Sequence, residues 1–370
     1  MKITGAVLRR DDSPSPYAES GPLEVVELDL DGPGPGELLV EMEAAGLCHS
    51  DLSVIDGNRP RPLPMLLGHE AAGRVVEVGA GVDDVRVGQR VALTFLPRCE
   101  DCRGCARGGT TPCERGSATN AAGTLMSGAT RLSVAGEPVR HHLGVSAFAT
   151  HAVVDRRSAV PLPDDVPPEV AAVLGCAVLT GGGAVLNSGR PDAGDTVVVV
   201  GLGGVGMAAL LTALAVPDVR VVGVDLSEDK RAAALDLGAH EVLDAREAAS
   251  SGVLGDVVVE AAGNAAAFET ATALTGPGGR TVTVGLPGPS AVAEVSLAAL
   301  VGTGRTIVGS YLGSGVPSRD VPLFADMWRE GRLPVERLVT GEIALADVNV
   351  GMDRLASGVG LRHVVRFDPS

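Results

Sequence analysis

The sequence predicts an α/β protein in which a β-rich first half is followed by a doubly wound parallel sheet. Three observations predict this fold. In the first half, apolar residues alternate with polar ones, or run together, over short segments. After about Leu179, short valine-rich segments alternate with alanine-rich segments of helical length. A glycine-rich turn directly follows the first valine segment, which is typical of the first strand of such a sheet.

The first half contains segments that we predict to be strands, at residues 23–30, 38–44, 71–78 and 90–93. The repeated Gly and Pro of residues 32–36 predict a turn between the first two strands. From Cys99 to about Gly144 the strand signals become sparse, and Gly, Ser, Thr and Arg dominate. A loop of this length inside a compact domain is usually functional or held in place by a ligand.

The second half predicts buried strands that alternate with helices. The predicted strands are at residues 197–200, 220–224, 241–243, 257–259, 280–284 and 306–308. The clearest helical segments between them are residues 230–237 and 265–274. Near the end, we predict helices at 321–329 and 349–355 and a last strand at 363–367.

The charge balance disfavours several classes of partner. There are 30 Lys and Arg residues against 46 Asp and Glu residues, a net charge of −16 at pH 7. Such an acidic surface repels phosphate backbones and anionic membranes, so we expect neither nucleic-acid nor membrane binding. The first residues lack the apolar segment of a signal peptide, which predicts a cytoplasmic location. Residues 197–216 carry no charge, but their clustered glycines favour a strand, a turn and a helix over a membrane span.

All six cysteines can be assigned to metal sites. Cys99, Cys102, Cys105 and Cys113 follow the spacing C-x2-C-x2-C-x7-C. Four thiolates from one loop close a tetrahedron around Zn²⁺ and leave no open position, which predicts a structural zinc site. Disulfides are the alternative, but a chain of 370 residues buries a large core without them.

Residues 201–206 read Gly-Leu-Gly-Gly-Val-Gly and match the pattern G-x-G-x-x-G through Gly201, Gly203 and Gly206, with Gly204 as a further glycine. They follow a valine strand and open a helix, the context in which such a turn binds a pyrophosphate. The second strand ends at Asp225, whose carboxylate would accept hydrogen bonds from a ribose and repel a 2′-phosphate. The turn therefore predicts NAD in preference to NADP. We interpret Lys230 either as a further ribose contact or as a solvated helix residue.

Three further residues have the chemistry of a catalytic zinc site. Cys48 and His69 each follow a strand-like run, and Cys176 precedes the second half. A catalytic zinc takes three protein ligands and keeps one position open. Such an ion binds an alcohol oxygen and lowers its pKa. Each of these residues alone is more often a buried structural residue, and it is their combination that predicts the site.

Together these motifs resemble the zinc-containing medium-chain alcohol dehydrogenases. The resemblance covers nearly the whole chain and is carried by residues 46–51 (Gly-Leu-Cys-His-Ser-Asp), by 68–70 (Gly-His-Glu), by the cysteine cluster, by the glycine turn and by the tail 356–362. The segment 123–144 is similar to the loop of a dimeric subgroup, which implies a homodimer. The family implies a GroES-like catalytic domain at 1–178 with its structural-zinc loop at 95–115. It further implies a Rossmann domain at 179–320 and a return to the catalytic domain at 321–370.

The resemblance also implies two zinc ions per chain and roles for individual residues. Cys48, His69 and Cys176 would bind the catalytic zinc, and Glu70 would be able to exchange onto it. Asp51 would orient the imidazole of His69, and Ser50 would hydrogen-bond the alcohol oxygen and begin a proton relay. The residues expected to contact the cofactor are His49, Thr180, Val205, Val284 and Arg362. Those expected to line the substrate pocket are Phe95, His142, Leu143, Leu286 and Leu312.

The expected activity is reversible transfer of hydride between a primary or secondary alcohol and NAD, with a small alcohol or aldehyde as substrate. A formaldehyde dehydrogenase that acts on a thiol adduct is one alternative, with a carrier other than glutathione because residues 58–61 lack the acidic groups of glutathione-dependent relatives. A nicotinoprotein that holds NAD permanently is another. A non-catalytic binding protein on the same fold is disfavoured, because every zinc ligand is present.

Two positions depart from the family pattern. Ser53 replaces the histidine that ends the proton relay in many relatives, so we expect the relay to end on water or another group. His142 replaces a residue that is usually apolar. It either favours a substrate with a second oxygen or points to solvent beside His141.

Overall fold

The computed structural model describes residues 1–108 and 111–367, and the chain divides into two compact units. The first comprises Met1–Cys176, Val316–Asp326 and Val335–Ser370, and the second comprises Ala177–Gly315 and Met327–Pro334. The domain boundaries implied by the resemblance stay a prediction. Their ranges include residues 109, 110 and 368–370, which lie outside the described residues.

The strands are numbered in chain order. They are β1 (Lys2–Leu8), β2 (Leu23–Leu30), β3 (Glu37–Gly46), β4 (Met65–Leu66), β5 (Ala71–Val78), β6 (Arg90–Leu93), β7 (Leu132–Val134), β8 (Glu137–His141), β9 (His151–Asp155), β10 (Ala159–Pro161), β11 (Thr196–Val200), β12 (Arg220–Asp225), β13 (Glu241–Asp244), β14 (Gly255–Glu260), β15 (Thr275–Thr283), β16 (Thr306–Gly309), β17 (Val339–Ile343) and β18 (Arg362–Arg366).

The α-helices follow the same order. They are α1 (Tyr17–Ser20), α2 (His49–Ile55), α3 (Arg103–Ala106), α4 (Glu114–Ala122), α5 (Pro168–Val173), α6 (Leu179–Gly183), α7 (Gly204–Leu214), α8 (Glu228–Asp236), α9 (Ala265–Leu274), α10 (Leu297–Gly302), α11 (Pro317–Arg329) and α12 (Val348–Ala356). Two π-helical segments, Leu174–Val178 and Ala184–Gly189, continue α5 and α6. Short 3₁₀ turns occur at Arg156–Ser158, Ala248–Ser250, Tyr311–Ser314, Val335–Leu338 and Leu345–Asp347.

The first unit contains a closed barrel and a larger mixed sheet. The barrel order is β1-β2-β7-β8-β4, and the sheet order is β10-β6-β5-β3-β18-β17, with β9 also paired to β3. Strand β3 lies at the centre because its apolar side chains, among them Leu38, Val40 and Met42, are buried in the core of this unit. Helix α12 contributes Val348 and Met352 to the same core.

The second unit contains the predicted doubly wound sheet. Its strand order is β13-β12-β11-β14-β15-β16, and each pair is parallel. The chain order reverses between β11 and β14, and ligands of such sheets bind beyond the carboxyl ends of the strands at this switch point. The predicted strands and the fold class are confirmed, although β15 begins earlier than expected and ends at Thr283, before Val284.

One long segment differs from the sequence-based expectation. The stretch 99–144 was expected to be largely loop, but it contains α3, α4, β7 and β8. Strands β7 and β8 have weak signals because they are short and polar, with Pro138 and Arg140 in β8. They form because Leu132 pairs with Leu30 of β2 and with Val139 of β8, which closes the barrel.

Within residues 1–108 and 111–367, the longest apolar helical stretch is Pro168–Gly189. It has 22 residues and a mean hydropathy of 1.8, which by length and composition alone would allow a membrane span. However, 89% of its most apolar window is buried inside the protein, which is typical of a core helix. Residues 197–216, in contrast, form β11, the glycine turn and α7, as the sequence predicts.

Candidate active site

Strand pairing brings three candidate site segments to one end of the mixed sheet. Ala45 of β3 pairs with Ala71 of β5, so the segment after β3 and the segment before β5 lie together. These segments carry Cys48 and His69. Ala71 also pairs with Leu93 of β6, which places Phe95 at the same end.

Cys176 reaches this end through a close backbone approach. A Cβ on the preceding Gly175 would lie 2.1 Å from the carbonyl oxygen of Leu93, so only glycine allows the helical segment to pack against β6. The thiol of Cys176 then lies 3.5 Å from Nε2 of His69. Ligand atoms of Cys48, His69, Glu70 and Cys176 all lie within 4.8 Å of one another, and all four side chains are buried.

These distances fit a zinc ion. A tetrahedral site with Zn–S of about 2.3 Å and Zn–N of about 2.0–2.1 Å has a sulfur–nitrogen edge of about 3.6 Å, close to the Cys176–His69 distance. A hydrogen bond between the thiols lowers the pKa of Cys48 and raises that of Cys176. Both cysteines are free thiols, so both sulfurs are available to bind a metal.

Asp51 holds the other ring nitrogen of His69. Nδ1 of His69 lies 3.1 Å from Oδ1 of Asp51, and the same oxygen accepts a hydrogen bond from the backbone N–H of Gly68 at 3.1 Å. With Nδ1 protonated, Nε2 of His69 is left to bind a metal. Burial disfavours charge on His69, but Asp51 and then Cys48 outweigh this effect and raise the pKa of His69 well above its usual range.

Glu70 is a buried carboxylate with an incomplete set of partners. Neither of its oxygens forms a hydrogen bond with the described residues, and Oε1 lies 3.2 Å from Nη1 of Arg362. Burial raises the pKa of Glu70 to about 7, even though the charge of Arg362 lowers it. A Cβ at Gly46 would lie 2.0 Å from Oε1 of Glu70, so glycine is needed there for the carboxylate to fit. A buried carboxylate of this kind suits an occasional metal ligand.

The cysteine cluster forms a second set of converging thiols. Sγ atoms of Cys99, Cys102, Cys105 and Cys113 lie within 4.8 Å of one another, and the Cys99–Cys105 pair is 3.9 Å apart. A Zn–S₄ tetrahedron has edges of about 3.8 Å. Backbone N–H groups of Cys105 and Glu114 point at the sulfur of Cys102 and lower its pKa to about 6, which favours the metal-binding thiolate. The disulfide alternative is wrong, because these cysteines are also free thiols.

Arg98 connects two parts of the loop that carries the cysteine cluster. One guanidinium nitrogen of this buried arginine donates to the carbonyl oxygens of Gly104 and Thr111, both at 3.1 Å. The side chain thus joins two parts of the cluster loop. Sequence reasoning missed this role, because an arginine before a cysteine has no distinctive pattern.

In the second unit, the glycine turn lies between β11 and α7. Gly201 has a φ of +91°, and a Cβ on Gly206 would lie 1.7 Å from the carbonyl oxygen of Gly201. By contrast, a Cβ on Gly203 would meet no protein atom within 4 Å, so the turn is open at this point. Asp225 accepts hydrogen bonds from the backbone N–H of Leu202 at 2.7 Å and of Ser227 at 2.8 Å. The carboxylate is therefore fixed next to the turn.

Comparison with known proteins gives two family models that match the chain. The model of the alcohol dehydrogenase GroES-like domain matches residues 34–164, and that of the zinc-binding dehydrogenases matches residues 204–329. A Mycobacterium tuberculosis protein named "Putative alcohol dehydrogenase D" is 38% identical over 384 residues, which cover 99% of this chain and 100% of the relative. The chain belongs to the zinc-containing medium-chain alcohol dehydrogenases.

Other relatives of this alcohol dehydrogenase agree with that conclusion. The NDMA-dependent alcohol dehydrogenase of Amycolatopsis methanolica is 35% identical over 376 residues, which cover 99% of both proteins. The solved structure of an alcohol dehydrogenase zinc-binding domain protein from Burkholderia ambifaria matches with a TM-score of 0.92 and 32% identity over 100% of both chains. The protein is therefore an enzyme, a zinc-dependent alcohol oxidoreductase.

In this alcohol dehydrogenase, the other predicted site residues lie in both units. Ser50 is half-buried and His49 is exposed, both in the first turn of α2. Phe95 packs edge-to-face on the ring of His69, with ring centroids 5.5 Å apart. Leu143, the residue after His142, is buried and has a φ of +52°. The residues of the second unit are Thr180 and Leu312, which are buried, Val205, Val284 and Lys230, which are half-buried, and Leu286, which is exposed.

His142 and Arg362 lie deeper in this alcohol dehydrogenase than the sequence indicates. His142 is 1% exposed, so the interpretation that it points to solvent is wrong. Its ring meets that of His69 edge-to-face, and its Nδ1 lies 3.0 Å from Oδ1 of Asp51. Arg362 is buried and donates to the carbonyl oxygen of Leu47 at 2.9 Å. Its expected contact with the cofactor stays a prediction.

Proposed function

We propose that the enzyme transfers hydride reversibly between a primary or secondary alcohol and NAD at a zinc ion held by Cys48, His69 and Cys176. The observation that carries this proposal is the convergence of two buried thiols and one imidazole nitrogen with the edge length of a zinc tetrahedron. When bound, zinc supplies a Lewis acid that lowers the pKa of an alcohol hydroxyl and polarises the carbonyl in the reverse reaction.

The chain's own residues supply orientation and proton transfer. Asp51 fixes the ring of His69 through Nδ1, and Phe95 covers the ring edge and excludes water from it. We assign Oγ of Ser50 the role of accepting the alcohol proton while its own hydroxyl proton passes on to water or another group. Ser50 is half-buried in the first turn of α2 and follows Cys48 closely. Ser53 is a poor next member of the relay, since its own proton is donated to the carbonyl oxygen of His49 at 2.8 Å, which does not pass a proton on.

The proposal of NAD as cofactor is supported by the glycine turn and by Asp225. The open side of Gly203 allows a pyrophosphate to approach the backbone, and the N-terminus of α7 favours negative charge there. Asp225 already accepts two backbone hydrogen bonds, so its carboxylate stays in place to bind ribose hydroxyls and repel a 2′-phosphate. We therefore expect a strong preference for NAD over NADP.

Metal analysis of three purified proteins tests the zinc assignment. We propose about two zinc ions per chain in the wild type, one from each cluster. Cys176→Ser should lose the catalytic ion and activity on a panel of alcohols while retaining the ion of the cysteine cluster. Cys102→Ser should lose the structural ion instead. If the wild type holds one zinc and Cys102→Ser holds none, the catalytic assignment is wrong.

A nicotinoprotein is the second candidate within the same family. It is favoured by the relative whose name describes it as NDMA-dependent, because a dependence on an added compound suits an enzyme that does not exchange its cofactor. Denaturing the purified enzyme and measuring the released NAD separates the two cases. About one NAD per chain would establish the nicotinoprotein, whereas none would support an exchangeable cofactor.

We also propose that the enzyme is a homodimer that acts in the cytoplasm. Strand β16 is at an edge of the parallel sheet, and edge strands with apolar surroundings pair readily with a second copy. Nearby in the chain, Val292 is 83% exposed, Leu297 is 73% exposed and Val301 is 80% exposed. Such a group of apolar side chains is typical of an interaction surface. The reduced cysteines are compatible with the cytoplasm.

A further inference from the structure

A second histidine lies against the carboxylate that orients His69. Nδ1 of His142 is 3.0 Å from Oδ1 of Asp51, nearly the same distance as Nδ1 of His69 at 3.1 Å. The two imidazole rings meet edge-to-face, with centroids 5.4 Å apart and an interplanar angle of 86°. His142, His69 and Asp51 are each at most 1% exposed, so water does not screen their interaction.

The local backbone is arranged to hold His142 in this place. Its backbone N–H donates to Oγ of Ser146 at 2.9 Å, and the backbone N–H of Ser146 returns to the carbonyl oxygen of His142 at 3.2 Å. Leu143 and Ser146 both have positive φ, which is uncommon for residues other than glycine. A turn with two such residues is energetically costly. Here the turn directly follows His142 and fixes the backbone that carries its ring.

The three donors around Oδ1 of Asp51 have different geometries. The backbone N–H of Gly68 forms a hydrogen bond with this oxygen, and Nδ1 of His69 lies at hydrogen-bond distance. A carboxylate oxygen has about two lone-pair directions. His142 approaches as a third group, close enough for a strong electrostatic contact but without hydrogen-bond geometry. Its effect on Asp51 is therefore electrostatic, and it favours the carboxylate orientation in which Oδ1 faces both imidazole rings.

We propose that His142 is a positioning residue for the catalytic zinc. Its ring attracts Oδ1 of Asp51 electrostatically and so keeps this carboxylate on the ring of His69. This inference rests on the proposed function, because it requires a zinc ion on Nε2 of His69. It assigns His142 a role other than contact with substrate. Groups that orient the ligands of a metal are often worth a factor of about 10–100 in metal affinity or activity.

The experiment compares zinc release from the wild type with release from two variants. His142→Phe keeps an aromatic ring but removes the nitrogen, whereas His142→Asn places an amide N–H near the position of Nδ1. His151→Phe is the matched control, because this histidine is in the same unit and its Nδ1 contacts Thr150 instead of Asp51. Release of each zinc to a chelator is followed over time. The visible spectrum of cobalt-substituted enzyme provides a second readout.

We expect His142→Phe to release the catalytic zinc about tenfold faster and to shift the cobalt bands. His142→Asn should remain within about threefold of the wild type, since it restores a donor. Release of the cysteine-cluster zinc should be the same in all proteins, which shows that they are folded. Unchanged release and unchanged spectra in His142→Phe would overturn the proposal, as would equal behaviour of the Phe and Asn variants. Failure of the proposed function is seen separately, because the wild type would then lack a second zinc.

Discussion

At the scale of single residues, the first unit contains several buried polar groups that stabilise one another. Glu70 forms an ion pair with Arg362, and Asp51 contacts two histidines. An isolated buried charge is costly, so each of these groups requires its neighbours. The candidate site is therefore a connected network, in which single substitutions act through the partner that they leave uncompensated.

Ser53→Ala tests the assignment of the proton relay. Because the hydroxyl of Ser53 donates to the carbonyl oxygen of His49, its removal should leave kcat within about twofold. The pH dependence of kcat should also stay the same. Ser50→Ala is the comparison, for which we expect a decrease in kcat of about 10²-fold or more. A titration of kcat that disappears in Ser53→Ala would show that this residue is part of the relay.

His141 provides a prediction about pH and stability. Burial, together with the charge of Arg131, lowers the pKa of His141 from 6.5 to about 3. Between these values the unfolded state binds a proton that the native state does not, so this contribution is complete above pH 6.5 and decreases as the pH falls. From pH 6.5 to pH 5 the free energy of unfolding should decrease by about 2 kcal/mol through this residue.

The variant His141→Gln measures this contribution, because its amide oxygen can still accept the hydrogen bond from the backbone N–H of Arg131. Urea unfolding at pH 7 and pH 5, with zinc in excess, should show a smaller loss of stability in the variant than in the wild type. An equal loss in both proteins would mean that His141 does not titrate in this way.

At the scale of elements, two glycines of the turn between β11 and α7 have different roles, one in packing and one in the proposed binding of the cofactor. Gly206 faces the carbonyl oxygen of Gly201, whereas Gly203 faces open space. Gly206→Ala should therefore lower the free energy of unfolding by about 3 kcal/mol. Gly203→Ala should leave stability nearly unchanged but weaken NAD binding, because its methyl group would occupy the side that we propose for the pyrophosphate.

Thermal unfolding and calorimetric titration with NAD distinguish these effects. The two variants act as controls for each other, since they differ only in which glycine gains a methyl group. Equal loss of stability in both would contradict the geometry of the turn. Unaltered NAD affinity in Gly203→Ala would remove the support for a pyrophosphate at this position.

The elements also show what the sequence could and could not predict. The valine strands β11 and β14 were found because strands covered on both faces are continuous apolar runs. Strands β7 and β8 were not predicted, since their residues have a weak local preference for β-structure and the strands form by pairing with distant partners. The contact between His142 and Asp51 was missed for a similar reason. It depends on the path of a turn, and adjacent residues carry no signal of it.

At the scale of the whole molecule, the proposed homodimer can be tested by a charge placed on the apolar surface. Val301→Asp should convert a dimer to a monomer, because a carboxylate buried at an interface without a partner is unfavourable. Val87→Asp is the control, since this valine is 59% exposed and belongs to the first unit. Light scattering after size-exclusion chromatography gives the mass. A wild-type monomer, or a dimer that persists in Val301→Asp, would exclude this interface.

Helix α2 has a consequence for how the enzyme can change during evolution. Cys48 precedes this short helix, and Ser50 and Asp51 lie in its first turn. A thiol, a hydroxyl and a carboxylate therefore depend on one register, and inserting or deleting a single residue here would misplace all of them at once. New substrate preferences should consequently arise by substitutions in surrounding loops, while the length of this segment tolerates no variation.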